Sequence, residues 1–290
     1  MNLSRDDMGF IDLNNEEIKF LELDTFKKNL KFKYLNEIYY YKKIDRVDNI
    51  YNELIASEIA KDFKIDCISY DIATYDDTIG VISKNFIDES EKYISMGEII
   101  RSVFDDKFLD KRNNLYDIWY ALDIYYKDLE LTKKLMDQII NMFIFDILIG
   151  NIDRHFFNYG IIENKNSINI APLFDNEKML DDNSIYYGDY CIGIDENDYS
   201  IFPDELEIYD NIIYKFINES SSYYKELLED KLKIITDENV NKVICSVEER
   251  IKTKIPHQFK RKIMTNFDQN LKMINNVLTI IKKSKIYQIH

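Results

Sequence analysis

With 290 residues and 46% hydrophobic side chains, the chain is long enough to bury one large core or two smaller ones, so a globular protein is expected. A formal charge of −15 argues against diffuse attraction to nucleic-acid phosphates or anionic lipid, and seven glycines with three prolines leave no room for a flexible linker or a collagen-like repeat. Three widely separated cysteines, Cys67, Cys191 and Cys245, support neither a disulfide framework nor a CxxC metal site. No run reaches the ~18 apolar residues that a membrane span needs, and a reducing cytoplasm is the expected setting.

Taken in chain order, the first residues, MNLSRDDMGFIDL, lack the basic and apolar regions of a secretory leader. The short aromatic-rich run EIYYYKKI, from Glu37 to Ile44, predicts a strand, and IYNELIASEIAKDF over 50 to 63 switches to helical spacing. Cys67 to Tyr75 and Ile79 to Phe86 predict two further strands, with turn chemistry from Asp76, Asp77 and Gly80. Beyond Gly97 the pattern becomes helical, over Asn113 to Tyr126, Leu129 to Ile149 and again 204 to 283. Within it, YGII and INIAPLF flank the polar turn NKNS like a β-hairpin. The densest basic stretch, Lys252, Lys254, Lys260, Arg261 and Lys262, reads as a solvated helix face. The prediction is an α+β fold of two lobes, a small β-rich one over 1–86 and a larger, mainly helical one over 87–290.

The chemistry concentrates in DILIGNIDRHFFNYGII and, after the turn, INIAPLFDNE. Asp153, Arg154, His155 and Asn158 fall in a polar loop between a helix and a strand, and Asp175 follows the next strand. Phosphoryl transfer with two Mg²⁺ ions needs such a set: an acid to position the nucleophilic hydroxyl, and an Asn and an Asp to hold metal on the nucleotide phosphates. In protein kinases the catalytic Asp precedes the metal-binding Asn by five positions, as Asp153 precedes Asn158. The interval from Asn158 to Asp175 accommodates a hairpin that returns a second ligand to the same site. Asp146 and Asn151 share the five-residue spacing, but Asp146 lies inside the apolar helical run MFIFDILIG, whereas Asp153 lies where ligands can converge.

NIDRHFFN together with APLFDNE resembles the N-x-D-x-H-x-x-N motif and following Asp of the HipA-like kinases, a bacterial branch of the protein-kinase fold. DRHxxN is also similar to phosphatidylinositol kinases. The resemblance implies Asp153 as catalytic acid/base, Asn158 and Asp175 as Mg²⁺ ligands, and His155 as a loop-organising or transition-state group, with Arg154 a further catalytic-loop residue. It extends upstream, where YYYKKI followed by YNELIASEIA fits the strand Lys that contacts the nucleotide phosphates and the helix Glu that holds it. Strand alternation puts Lys42 and Lys43 on opposite faces, with Lys42 preferred and Lys43 the alternative. Glu53 is preferred over Glu58, since five positions turn a helix by roughly 140° and only one of them can face the site. SKNF resembles the HipA-like hinge, where backbone groups of Ser83, Lys84, Asn85 and Phe86 would pair with adenine. No G-x-G-x-x-G precedes the Lys strand, so phosphate cover is expected from a loop around 24 to 36.

The resemblance thus implies an ATP- and Mg²⁺-dependent serine/threonine protein kinase that autophosphorylates in the 178 to 202 segment, which contains Ser184, Tyr186, Tyr187, Tyr190 and Ser200. HipA-like kinases further imply a toxin-type enzyme that modifies a translation-related protein and is restrained by an antitoxin partner. The alternatives are a phosphoinositide-like or small-molecule kinase, and a catalytically silent pseudokinase acting as a binding module. No direct contact with nucleic acid or membrane is expected.

Overall fold

The computed structural model describes residues 10–14, 18–24, 29–34, 36–105, 115–151, 153–180 and 222–287. In chain order the elements are β1 (Ile11–Asp12), β2 (Lys19–Asp24), β3 (Asn29–Tyr34), β4 (Glu37–Lys43), α1 (Val47–Asp62), β5 (Tyr70–Tyr75), β6 (Thr78–Lys84) and β7 (Lys92–Ser95). There follow α2 (Met96–Val103), α3 (Leu115–Tyr126), α4 (Leu129–Ile149), β8 (Gly160–Glu163), β9 (Ile168–Ile170), α5 (Ser222–Leu232), α6 (Asp237–Ile251) and α7 (His257–Tyr287). The fold is α+β, β-rich toward the N-terminus and helical toward the C-terminus. It divides into two compact units, the first of Met1–Glu89, Pro172–Glu177 and Asp237–Lys262, the second of Ser90–Ala171, Lys178–Thr236 and Ile263–His290.

The first unit is built on a sheet ordered β1-β5-β6-β4-β3-β2, antiparallel apart from the β1–β5 pair. Period-two patterning decides its faces: Leu30, Phe32, Tyr39, Tyr41 and Ile82 pack with Ile11, Leu13 and Ile18 in one core cluster. Residues 29 to 34, expected as a loop, are instead strand β3, because NLKFKY alternates apolar side chains with basic ones and pairs in register with β4. Asp76 and Asp77 do form the turn between β5 and β6, both with positive φ (46° and 58°), the backbone of a type I′ hairpin. Gly80, expected beside them in the turn, lies in β6 opposite Lys43 and Ala73. A Cβ there would run into the Lys42 carbonyl and the Tyr41 ring.

Helix α1 packs on β5 and α6 and is buried along most of its length, polar Asn49, Asn52, Glu53 and Ser57 included. Tyr51 meets Phe259 with ring centroids 5.0 Å apart. The basic stretch is largely neutralised. Glu248, buried at the end of α6, accepts from the Ile255 N–H and pairs with Lys254 and Lys260, while Lys262 reaches Asp48 at 3.4 Å.

In the second unit a small sheet ordered β7-β8-β9 contains the hairpin predicted around NKNS. Asn164 Oδ1 closes its turn by accepting from the Asn166 and Ser167 N–H groups. A capping box between Ser95 and Glu98 starts α2. Helix α4 coincides with the predicted span and ends at Gly150, whose left-handed backbone (φ 61°) stops the helix and releases the chain into the following loop. Among the described residues no helix is long and apolar enough to cross a membrane. Ser184, Tyr186, Tyr187, Tyr190 and Ser200, proposed for autophosphorylation, and Cys191 lie outside the described residues.

Because Gly80 leaves no room for a side chain beside the Lys42 carbonyl, Gly80→Ala should destabilise the protein by about 1–3 kcal/mol. The expected result is a lower urea midpoint at unchanged slope.

Candidate active site

In the first unit, one lysine organises a cluster of acids. Lys42 lies on the face of β4 opposite the Tyr39 and Tyr41 cluster, and its Nζ sits 2.6 Å from Asp175 Oδ1, 3.0 Å from Glu177 Oε2 and 3.6 Å from Glu53 Oε1. Lys43, on the other face, is exposed. Glu53 is fully buried on α1, and its Oε2 accepts the Asn176 N–H at 2.8 Å. Glu58 is engaged elsewhere, by Ser246 at 3.0 Å, Lys61 at 2.6 Å and Arg250 at 3.8 Å. The 172–177 segment reaches this cluster through backbone hydrogen bonds between Ile68 and Leu173 (2.8 Å) and between Leu173 and Asp66 (2.8 Å). Asp175 has a left-handed backbone (φ 60°), unusual for a residue with a side chain, and its N–H donates to the Tyr70 hydroxyl at 3.4 Å. Asn52 holds the far end by donating to the Glu177 carbonyl at 2.9 Å.

The electrostatics follow from three carboxylates around one ammonium. Burial alone would lower the Lys42 pKa, but Glu53, Asp175 and Glu177 outweigh it and hold the amine well above its usual range. Burial above all, with the charges of Asp175 and Glu177, raises the Glu53 carboxyl to about 7 against the pull of Lys42 and the Asn176 N–H. Oxygens of Glu53, Asp175 and Glu177 lie within 4.8 Å of one another, and the buried Glu53 Oε1 accepts no hydrogen bond. Clustered hard oxygen donors with acids in excess over bases are the set that a divalent cation such as Mg²⁺ takes. The residues therefore fit the Mg²⁺ that the sequence resemblance implies. Glu177 was not singled out in the sequence; its one signal there was an acid two positions beyond Asp175.

Of the residues expected to form a hinge, Ser83 and Lys84 close β6, paired with Tyr40 and Tyr39. The Lys84 ammonium lies 2.9 Å from Glu37. Asn85 donates its N–H to the Ile38 carbonyl (2.8 Å) and its carboxamide to that of Ile87 (2.7 Å), so the chain after β6 is held by the Asn85 side chain. The Phe86 ring stacks on Phe174 with centroids 6.0 Å apart, an aromatic step immediately before Asp175.

Asp153, Arg154, His155 and Asn158 belong to the second unit, in the loop that Gly150 releases. Asp146 and Arg154 are both fully buried and form a bidentate pair: Arg154 Nε donates to Asp146 Oδ2 and Nη2 to Oδ1, each at 2.9 Å. Asp146 Oδ1 also accepts from Asn151 Nδ2 at 2.9 Å, and Arg154 Nη1 donates to the Asn158 carbonyl at 2.9 Å. Arg154 therefore holds the loop from beneath. Asn158 Nδ2 donates to the Asp153 carbonyl at 2.7 Å, which leaves the Asn158 amide oxygen as the atom able to ligate a cation. His155 is exposed, and its Nδ1 accepts the Phe157 N–H at 3.2 Å. Asp146 escaped sequence reasoning because its apolar surroundings argued against a site. The usable signal was the same fact read differently, since an acid in an all-apolar helix turn needs a buried cation partner.

No family model matches the chain. The serine/threonine-protein kinase CtkA of Helicobacter pylori is 25% identical over 213 residues, which span 70% of this chain and 64% of that relative's length. The crystal structure of the H. pylori proinflammatory kinase CtkA superposes with a TM-score of 0.60 at 23% identity, covering 95% of this chain and 99% of that one. HipA of Shewanella oneidensis, solved with HipB and operator DNA, gives 0.56 at 13% identity over 93% and 74% of the two chains. The chain has the fold of the HipA-like kinases. The fold implied by NIDRHFFN and APLFDNE is thus the one observed.

Breaking a buried charge pair by removing one partner strands the other. Asp146→Ala should accordingly lower the unfolding free energy by about 3–5 kcal/mol, read from urea denaturation. The raised Glu53 pKa has a definite sign: its contribution to stability is full below the ordinary carboxylate range and is lost as pH rises through about 7. The stability difference between wild type and Glu53→Gln, followed by denaturation without nucleotide, should therefore shift against wild type over that interval. A pH-independent difference would contradict the burial of an ionisable Glu53.

Proposed function

We propose that the chain is an ATP- and Mg²⁺-dependent serine/threonine protein kinase of HipA-like type. The observation that carries this reading is the Lys42 ammonium held beside Glu53 and Asp175, in a chain with the HipA-like kinase fold. Lys42 neutralises the α- and β-phosphates of ATP, and Glu53 keeps it extended toward them. Asp175 and Asn158 are the proposed Mg²⁺ ligands, and Glu177 is a further carboxylate beside Asp175; when bound, the metal would offset charge on the phosphates. Asp153 orients a serine or threonine hydroxyl and takes its proton as the oxygen bonds to the γ-phosphorus and the bond to the ADP oxygen breaks. Ser83 to Phe86 provide the adenine-side backbone, and Arg154 with His155 maintains the shape of the loop that presents Asp153. Autophosphorylation belongs to the same proposal, as do a toxin-type role and an antitoxin partner, which the likeness to HipA of a toxin–antitoxin system supports.

The test is transfer of label from γ-labelled ATP to protein with Mg²⁺ present. Wild type should give phosphoprotein, Asp153→Ala, Asp175→Ala and Lys42→Met should each lose at least about a hundredfold in rate, and chelation of Mg²⁺ should abolish transfer. Undiminished labelling in Asp153→Ala and Asp175→Ala would overturn the assignment.

A further inference from the structure

We propose that Phe157 is a specificity-determining residue, taking an apolar side chain that flanks the phosphoacceptor of a protein substrate; this rests on the kinase reading above. Among the described residues, several large hydrophobic side chains are exposed, but of these Phe157, 44% exposed, is the one that lies inside the Asp153 to Asn158 loop. Its neighbour Phe156 is buried and anchors the loop, so the loop's packing does not require a second aromatic on the outside.

The Phe157 ring is held in place. It lies against Gly97, where any Cβ would collide with it, and edge-on to the His155 ring with centroids 6.3 Å apart. The Arg101 guanidinium sits 6.0 Å from its centroid. The backbone on either side is pinned to the start of α2, where the Gly97 N–H donates to the Phe156 carbonyl (2.9 Å) and the Met96 N–H to that of Tyr159 (3.0 Å).

Position relative to Asp153 follows from the closed loop. The Asn158 carboxamide is hydrogen-bonded to the Asp153 carbonyl, and residue 157 is one Cα step, about 3.8 Å, before Asn158. A substrate hydroxyl oriented by Asp153 therefore brings its flanking residues within reach of a partly exposed aromatic ring whose position is already fixed. Such a surface rewards an apolar partner at little ordering cost.

The experiment compares wild type, Phe157→Ala and Phe157→Leu on peptide series that differ only in Leu or Ala at each position flanking a serine, with KM and kcat measured separately. Wild type should favour Leu at one flanking position by about tenfold in kcat/KM, through KM. Phe157→Ala should bring that ratio to about one, and Phe157→Leu should retain most of it. A purely structural role would shift both peptides of a pair alike. A Leu-to-Ala ratio unchanged by Phe157→Ala, or absent from wild type, overturns the inference and leaves the kinase reading standing. Failure of wild type to phosphorylate any peptide or itself overturns both.

Discussion

The site of the first unit depends on a single ammonium among three carboxylates. Lys42 is delivered by a strand whose other face is committed to the tyrosine core, Glu53 by a helix buried along most of its length, and Asp175 with Glu177 by a short segment from far along the chain. Mutual repulsion would drive such acids apart without the lysine, and burial would neutralise the lysine without the acids. A nucleotide phosphate offers Lys42 an alternative anion, and a divalent cation offers the acids an alternative counter-charge. On the proposed kinase reading, the internally paired cluster exchanges its partners for Mg²⁺ and ATP without leaving a charge uncompensated.

The second unit solves a different problem, that of holding a short polar loop rigid from beneath. Asp146 and Arg154 form the buried support, Asn158 ties the loop's end to its beginning, and Gly150 sets the angle at which the chain leaves α4. The support lies beneath the loop, and Asp153 is engaged by Asn158 through its backbone carbonyl. Rigidity of this kind is what a positioned acid needs, because the benefit of orientation is lost when the group wanders.

Much of this was legible in the sequence, for identifiable reasons. EIYYYKKI declared itself by its brevity and aromatic β-propensity, the helix after it by the switch to helical spacing, and α4 by apolar residues at three- and four-residue spacing. The DRHFFN loop stood out because polar residues were concentrated where the periodicity broke. Strand β3 was missed since its lysines made NLKFKY look like a polar loop, although the alternation was present; Gly80 was read as punctuation when it marks a close backbone approach. The roles of Asp146 and Glu177 were harder to read. Asp146 in its apolar turn signals a buried cation partner without saying which, here Arg154 eight positions on, and no local pattern encodes the contact of Glu177 with Lys42, 135 positions away.

The central claim is that the Lys42 cluster is where nucleotide phosphate and Mg²⁺ bind, and titration calorimetry with Mg²⁺ and a non-hydrolysable ATP analogue addresses it without requiring turnover. The account predicts saturable binding to wild type that weakens at least about tenfold in Lys42→Met and depends on Mg²⁺ through Asp175. Binding of equal strength to wild type and Lys42→Met, with or without the metal, would contradict it.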